Sequence, residues 1–196
     1  MKRFTILFLF VFFMITTSSA EHIKFMGVPV GGNVAAFKDS LKAKGFIYKK
    51  CFKTLYSFEG IFANEFVAVE VLASPKTKQV CKIIVYFPQK DTWKGLKSDY
   101  FRKKNLYKEK YPLDKDFEFF SSPYDEGDGY EMRAVSLGKC NFASFYYATG
   151  GHIMIQIDEK QRIKITYEDR ENIKISQSEL DQKALEGECK INCVRL

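Results

Sequence analysis

The tightest constraint on this fold is the brevity of the connections in its last third. Tyr130–Leu137, Cys140–Tyr147, His152–Ile157 and Arg162–Tyr167 each read as extended runs, separated only by Gly138-Lys139, Gly150-Gly151 and the stretch from Asp158 to Gln161. A parallel crossover needs about a dozen residues, so connections this short join antiparallel neighbours. An antiparallel meander is expected here.

The same vocabulary appears earlier. Asn33 to Lys44 carries Val34, Phe37 and Leu41 at helical spacing, with Asn33 as N-cap and Gly45 as the stop. Phe66–Val71 and Val80–Phe87 are rich in β-branched residues and flank the turn Ser74-Pro75-Lys76-Thr77, which predicts a hairpin. Gly60 reads as an earlier turn or bulge. After Pro88 a second helix is expected, capped by Asp91, with Trp93, Leu96, Tyr100 and Tyr107 on one stripe and Pro112 as its end. Phe117–Phe120 reads as a short aromatic strand, and Pro123 to Gly129 as an acidic loop. Beyond Tyr167 the chain turns polar; Asp169 and Asn172 are expected to organise the strand end, and a short helix is expected near Glu179 to Leu185. The order helix, strands, helix, strands predicts an α+β architecture of two tandem helix-plus-antiparallel-sheet units, 21–90 and 91–174, with a tail over 175–196.

The first twenty residues belong to neither unit. Lys2 and Arg3 precede an apolar run from Phe4 to Ile15, followed by Thr16-Thr17-Ser18-Ser19-Ala20. Positive start, short apolar middle and small residues before the cut describe a secretory signal peptide, cleaved between Ala20 and Glu21. The apolar run is too short for a bilayer, which needs roughly 20 residues, and no later run is long enough either, so no membrane anchor is expected after cleavage. A secreted or periplasmic location follows as the expectation. Loss of Lys2 and Arg3 takes the formal charge from +7 to +5. That balance permits contact with an anionic envelope component and gives no specific support to nucleic-acid binding.

Export makes disulfides possible, but the five cysteines are an odd number and widely spaced except for Cys189 and Cys193. At least one of that pair is expected to be bonded, with Cys140 as a candidate partner in the body of the domain; closing such a loop is worth roughly 3–4 kcal/mol. Cys51 and Cys81 read as buried free thiols in strands.

Catalytic signals are sparse. There is no GxSxG, HExxH, Walker or GxGxxG motif. Of the two histidines, His22 is expected on a loose terminus and His152 at a hairpin end. Cys140 and His152, on neighbouring runs, are a candidate nucleophile–base pair for a thiol-dependent hydrolase or transferase. Asp125-Glu126-Gly127-Asp128-Gly129 has calcium-loop composition without the ligand register, so no metal and no cofactor is expected.

Two surfaces remain. Lys94, Lys97, Lys104 and Lys108 share one flank of the second helix with Phe101, a pattern able to engage an anionic partner. Phe117, Phe119, Phe120, Phe145, Tyr146 and Tyr147 cannot all face one core, because strand neighbours alternate sides. Two outcomes are open: some form an exposed patch, which marks an interface, or the helices of the two units cover them.

The alternation of helix and antiparallel sheet resembles the β-lactamase-inhibitor-protein type of fold. In addition, Lys24-Phe25-Met26-Gly27-Val28-Pro29, the Phe37-to-Phe46 helix end, Pro75-Lys76-Thr77-Lys78-Gln79-Val80 and Tyr167-Glu168-Asp169-Arg170-Glu171-Asn172 resemble a group of uncharacterised secreted bacterial proteins. That resemblance covers most of the mature chain and implies compartment and fold class, with no activity attached. The resulting expectation is a secreted, non-enzymatic binding module, inhibitor-like in one form, with an unknown protein or an anionic envelope component as partner.

Overall fold

The computed structural model describes residues 21–193, with side chains through Ala184. The expected leader and the side chains of Cys189 and Cys193 lie outside the described residues. A small hairpin comes first among the described elements: β1 (Lys24–Phe25) and β2 (Val28–Pro29) flank Met26 and Gly27, both at positive φ. Helix α1 (Val34–Ala43) follows. The Asn33 side chain accepts a hydrogen bond from the Ala35 amide, and Val34, Phe37 and Leu41 are buried. Gly45, at φ 87°, ends it, donating to the Lys42 carbonyl while Phe46 donates to that of Leu41. These paired bonds satisfy carbonyls that the helix leaves open at its end.

Four strands then meander: β3 (Ile47–Phe52), β4 (Leu55–Phe62), β5 (Glu65–Ala73) and β6 (Val80–Tyr86). Gly60 is neither turn nor bulge. It sits within β4 opposite Val67, where a Cβ would come 2.7 Å from the Phe46 ring. The turn lies instead at Ala63 and Asn64, whose positive φ values suit a two-residue hairpin. The expected β5–β6 hairpin is present, with Val69 opposite Val85 and Val71 opposite Ile83.

Helix α2 (Trp93–Lys108) is capped by Thr92, not Asp91, through a bond from the Gly95 amide to the Thr92 hydroxyl. Its buried stripe contains Leu96 and Tyr100 but also Asp99 and Lys103. Strand β7 (Leu113–Phe120) is longer than its aromatic end. The run Tyr130–Leu137 is not a strand: Glu131–Ser136 forms helix α3, burying the adjacent pair Ala134 and Val135. Neighbours in a strand would have pointed to opposite faces. The chain closes with β8 (Cys140–Ala148), β9 (Gly151–Asp158), β10 (Arg162–Asp169) and a helix α4 (Arg170–Cys193), far longer than the short helix expected. None of the helices among the described residues is long and apolar enough to cross a membrane.

All of β3 to β10 belong to one antiparallel sheet, ordered β3-β4-β5-β6-β10-β9-β8-β7. The chain is thus α+β, with α1 and α2 on one face of this sheet over Phe58, Val69, Ile83, Ile155, Ile165 and Tyr146. Helix α3 packs at the end where β9 finishes, and α4 at the end where β6 and β9 begin. Helix α4 docks through polar side chains: Asn172 donates to the carbonyls of Gly31 and Val80, and Glu179 accepts from the amides of Lys76 and Thr77.

His22 is not on a loose terminus. Its ring nitrogen lies 2.8 Å from the fully buried Asp169 carboxylate, whose other oxygen accepts from the Asn172 amide as the cap of α4. Ile23 and Phe25 are buried, so the first described residues belong to the core.

Candidate binding surface

Among the described residues, no helix lies across the face of the sheet opposite α1 and α2. Period-two alternation sends one set of side chains there from every strand. From β4 and β5 come Leu55, Ile61, Phe66 and Leu72; from β7, β8 and β9 come Phe117, Phe119, Phe145 and Met154. Ile61 and Phe66 are each 58% exposed, Phe117 43% and Phe119 51%. On the two central strands of this face only Thr166 is buried. The apolar residues fall into two wings. One spans β3 to β5 and includes Phe52; the other spans β7 to β9, where Phe117 and Phe145 meet edge to face at 6.1 Å.

Between the wings runs a polar spine on β5, β6, β9 and β10. Tyr86 donates to Glu70, and Arg162 stacks over the Tyr86 ring at 4.0 Å while holding Asp158 at 2.7 Å. Lys82 pairs with Glu168 at 2.7 Å. Burial, with the Glu70 charge and hydrogen bond, pushes the Tyr86 phenol up to about 12, so it stays a donor. This spine is internally neutralised and rigid. The wings are where apolar surface is left for a partner.

The edges of the sheet do not invite strand addition. Lys49 and Lys50 lie on β3, Asp114, Lys115, Asp116 and Glu118 on β7, and both edge pairings contain a register shift. Charges and bulges on edge strands block pairing with another chain.

The expected aromatic set is divided as alternation requires. Phe117, Phe119, Phe145 and Tyr147 point to the open face, while Tyr146 is fully buried and Phe120 packs against Trp93 and Phe142 beneath α2. The lysine row is partly spoken for. Lys97 is paired with Glu126, and Lys104, mostly covered, with Asp116 and Glu118. Both ammonium groups lie near the Phe101 ring, at 5.8 and 5.6 Å. Lys94 and Lys108 are exposed. Four cations in sequence therefore amount to two uncommitted ones in space.

Cys140 and His152 are not brought together. His152 stands opposite Tyr147, at the far end of β8 from Cys140, which pairs with Phe120. Seven residues of strand separate them, about 23 Å at 3.3 Å per residue. Burial pushes the Cys140 thiol up to about 12, so it is not a thiolate near neutral pH. Cys51, Cys81 and Cys140 are all free thiols. The acidic loop spends its carboxylates on the protein: Asp128 accepts from the Tyr130 and Asp125 amides, and Glu126 from the Trp93 indole. No group of side chains among the described residues is arranged to hold a metal ion.

No protein-family model, no curated protein and no solved structure matches the chain.

Sequence reasoning missed two features of the molecule's chemistry. The Asp99–Lys103 pair lies buried on α2, with Lys103 also bonded to Glu65 and stacked 3.9 Å over Phe87. An Asp and a Lys at i and i+4 on the apolar stripe are the signal, masked there by the exposed lysines around them. The concavity beside this pair, between α2 and the β1–β2 hairpin, draws its lining from segments far apart in sequence.

Proposed function

We propose that this protein is a secreted, non-enzymatic binding module whose open sheet face engages a protein partner, an inhibitor-like role being one form of that activity. The observation that carries the reading is the pair of apolar wings on a helix-free sheet face, flanked by edges built against strand addition. Two apolar wings on either side of a polar spine offer a folded partner apolar contact at two places and charge complementarity between them. The succession of α1 with β3 to β6, then α2 with β7 to β10 and α3 inserted after β7, with β6 beside β10, supports the tandem arrangement of the β-lactamase-inhibitor-protein type. The leader supports release into an extracytoplasmic compartment, with Glu21 as the first residue of the mature chain.

The test uses tagged residues 21–196 against envelope and extracellular fractions of the source cell. Phe52→Ser with Phe66→Ser, and Phe117→Ser with Phe119→Ser, alter exposed positions and leave the core intact. A partner recovered by the unaltered protein and by Lys94→Gln/Lys108→Gln, but reduced at least tenfold by either Phe pair, is the expected result. Recovery unaffected by both Phe pairs sinks the face as the interface. Loss in the lysine variant alone transfers the role to α2 and an anionic envelope component. Turnover of a substrate that Cys140→Ala abolishes sinks the non-enzymatic reading.

A further inference from the structure

On the helix-covered side of the sheet, α2 and the β1–β2 hairpin leave a cavity of about 370 Å³ between them. That is within the range of small-molecule sites. Its walls are apolar, from Met26, Phe62, Phe87 and Leu106. Four cations line it and no carboxylate does. Arg102 and Lys103 are committed to Glu65 and Asp99. Lys24 and Lys110 are exposed and have no ion pair among the described residues, so the mouth carries uncompensated positive charge.

The floor adds a second, independent observation. Tyr107 and Tyr167 both line the cavity, and their hydroxyls are bonded to each other. Two phenols own two O–H donors, and one bond between them uses one. The other proton has no acceptor among the described residues. Burial holds both phenols well above their ordinary range, so neither resolves the mismatch by ionising. The spare hydroxyl proton lies at the wall of the cavity and is a donor offered to whatever fills it.

We propose that this cavity binds a small amphipathic carboxylate: an acid group at Lys24 and Lys110, an apolar body along Met26, Phe62 and Leu106, and a second acceptor at the Tyr107–Tyr167 floor. The inference is independent of the open-face reading, because the two sites lie on opposite sides of the sheet.

The probe is ω-hydroxydecanoate, which carries both polar ends, with the matching decanediol as its uncharged control. Protein labelled at the methionine methyl groups reports the location: Met26 lines this cavity and Met154 the open face. The acid is expected to shift the Met26 signal and leave Met154 unchanged, and to bind about tenfold more tightly than the diol. Lys24→Gln/Lys110→Gln, at exposed positions, is expected to remove that difference. Leu106→Trp, also exposed, fills the mouth and is expected to abolish binding of both. Equal binding of acid and diol to the unaltered protein, shifts at Met154 in place of Met26, or an acid affinity untouched by the lysine substitutions would each overturn the proposal.

Discussion

Asp99 is a carboxylate only 6% exposed, and one of its oxygens has no hydrogen-bond partner. Burial alone would raise its pKa; the hydrogen bond and charge of Lys103, joined by Arg102 and Lys90, outweigh burial and hold it below the ordinary value. Glu65 is lowered in the same way, by Lys103 and Arg102 against burial. A pKa depressed in the folded state gives stability that is fully present above the unfolded value, about 4, and is lost as pH falls through the folded value. Denaturation midpoints are therefore expected to be flat from neutrality to about pH 5 and to fall steadily below it. Lys103→Met removes the main partner of both acids. It is expected to cost about 3–5 kcal/mol at neutral pH, because a buried charge loses its counterion. It should also shrink the acid-side loss, since Asp99 then has only Arg102 and Lys90 to give up on protonation; an unchanged pH profile in that variant would sink the assignment. The thiols offer a separate check. Cys51 is exposed, whereas Cys81 is buried and Cys140 is held protonated by burial. A thiol reagent at neutral pH is expected to label Cys51 in the folded protein and to reach Cys81 and Cys140 only after unfolding, as peptide mapping would show. The same map, made without reduction, decides whether Cys189 or Cys193 is bonded.

Among the elements, β4 shows most directly how one residue sets a packing distance. Gly60 is there to let the Phe46 ring lie against the strand, so Gly60→Ala is expected to cost about 1–3 kcal/mol by overpacking. Adding Phe46→Leu should recover part of that loss, and strictly additive effects in a double-mutant cycle would refute the contact as the cause. The stop at Gly45 is legible in the sequence, because a glycine followed by a phenylalanine after an apolar stripe specifies that geometry. The β5–β6 hairpin is legible for a similar reason: dense β-branched runs on both sides of a proline turn leave few alternatives. Helix α3 is not. Tyr130, Met132 and Ala134 imitate strand alternation well enough to hide the strong helix formers Glu131, Met132, Arg133 and Ala134. Helix α4 escapes because its buried positions, Asn172, Ser176 and Glu179, keep helical spacing but are polar. A hydropathy pattern sees no face there, although Glu179 closes the 74–79 turn. Glu179→Ala is accordingly expected to loosen that turn, read as faster amide exchange at Lys76 and Thr77 with little change elsewhere.

For the whole molecule, the decisive pairing is β6 with β10, in which Val85 faces Ile165 and Ile83 faces Tyr167. No local pattern in the chain announces it, since the partners are some eighty residues apart and each reads only as a buried strand. The same holds for the candidate binding face: its individual residues are visible in the sequence, but which of them share a side depends on the register of eight strands. Because β6 and β10 carry one core across the centre of the sheet, calorimetry is expected to show a single transition whose van't Hoff and calorimetric enthalpies agree. Two resolved transitions would mean that the halves melt separately. The clasp between His22 and Asp169, 147 residues apart, has a consequence for how such a chain comes into being. The first described residues lie against the last strand, and the hairpin turn at Gly150 leaves no room for a side chain beside the Glu21 carbonyl. While the ribosome is still making β10, His22 lacks the carboxylate it pairs with, and contacts of such long sequence separation form late. This clasp is therefore expected to close last, so a chain cut short before Asp169 should leave its N-terminal end untied.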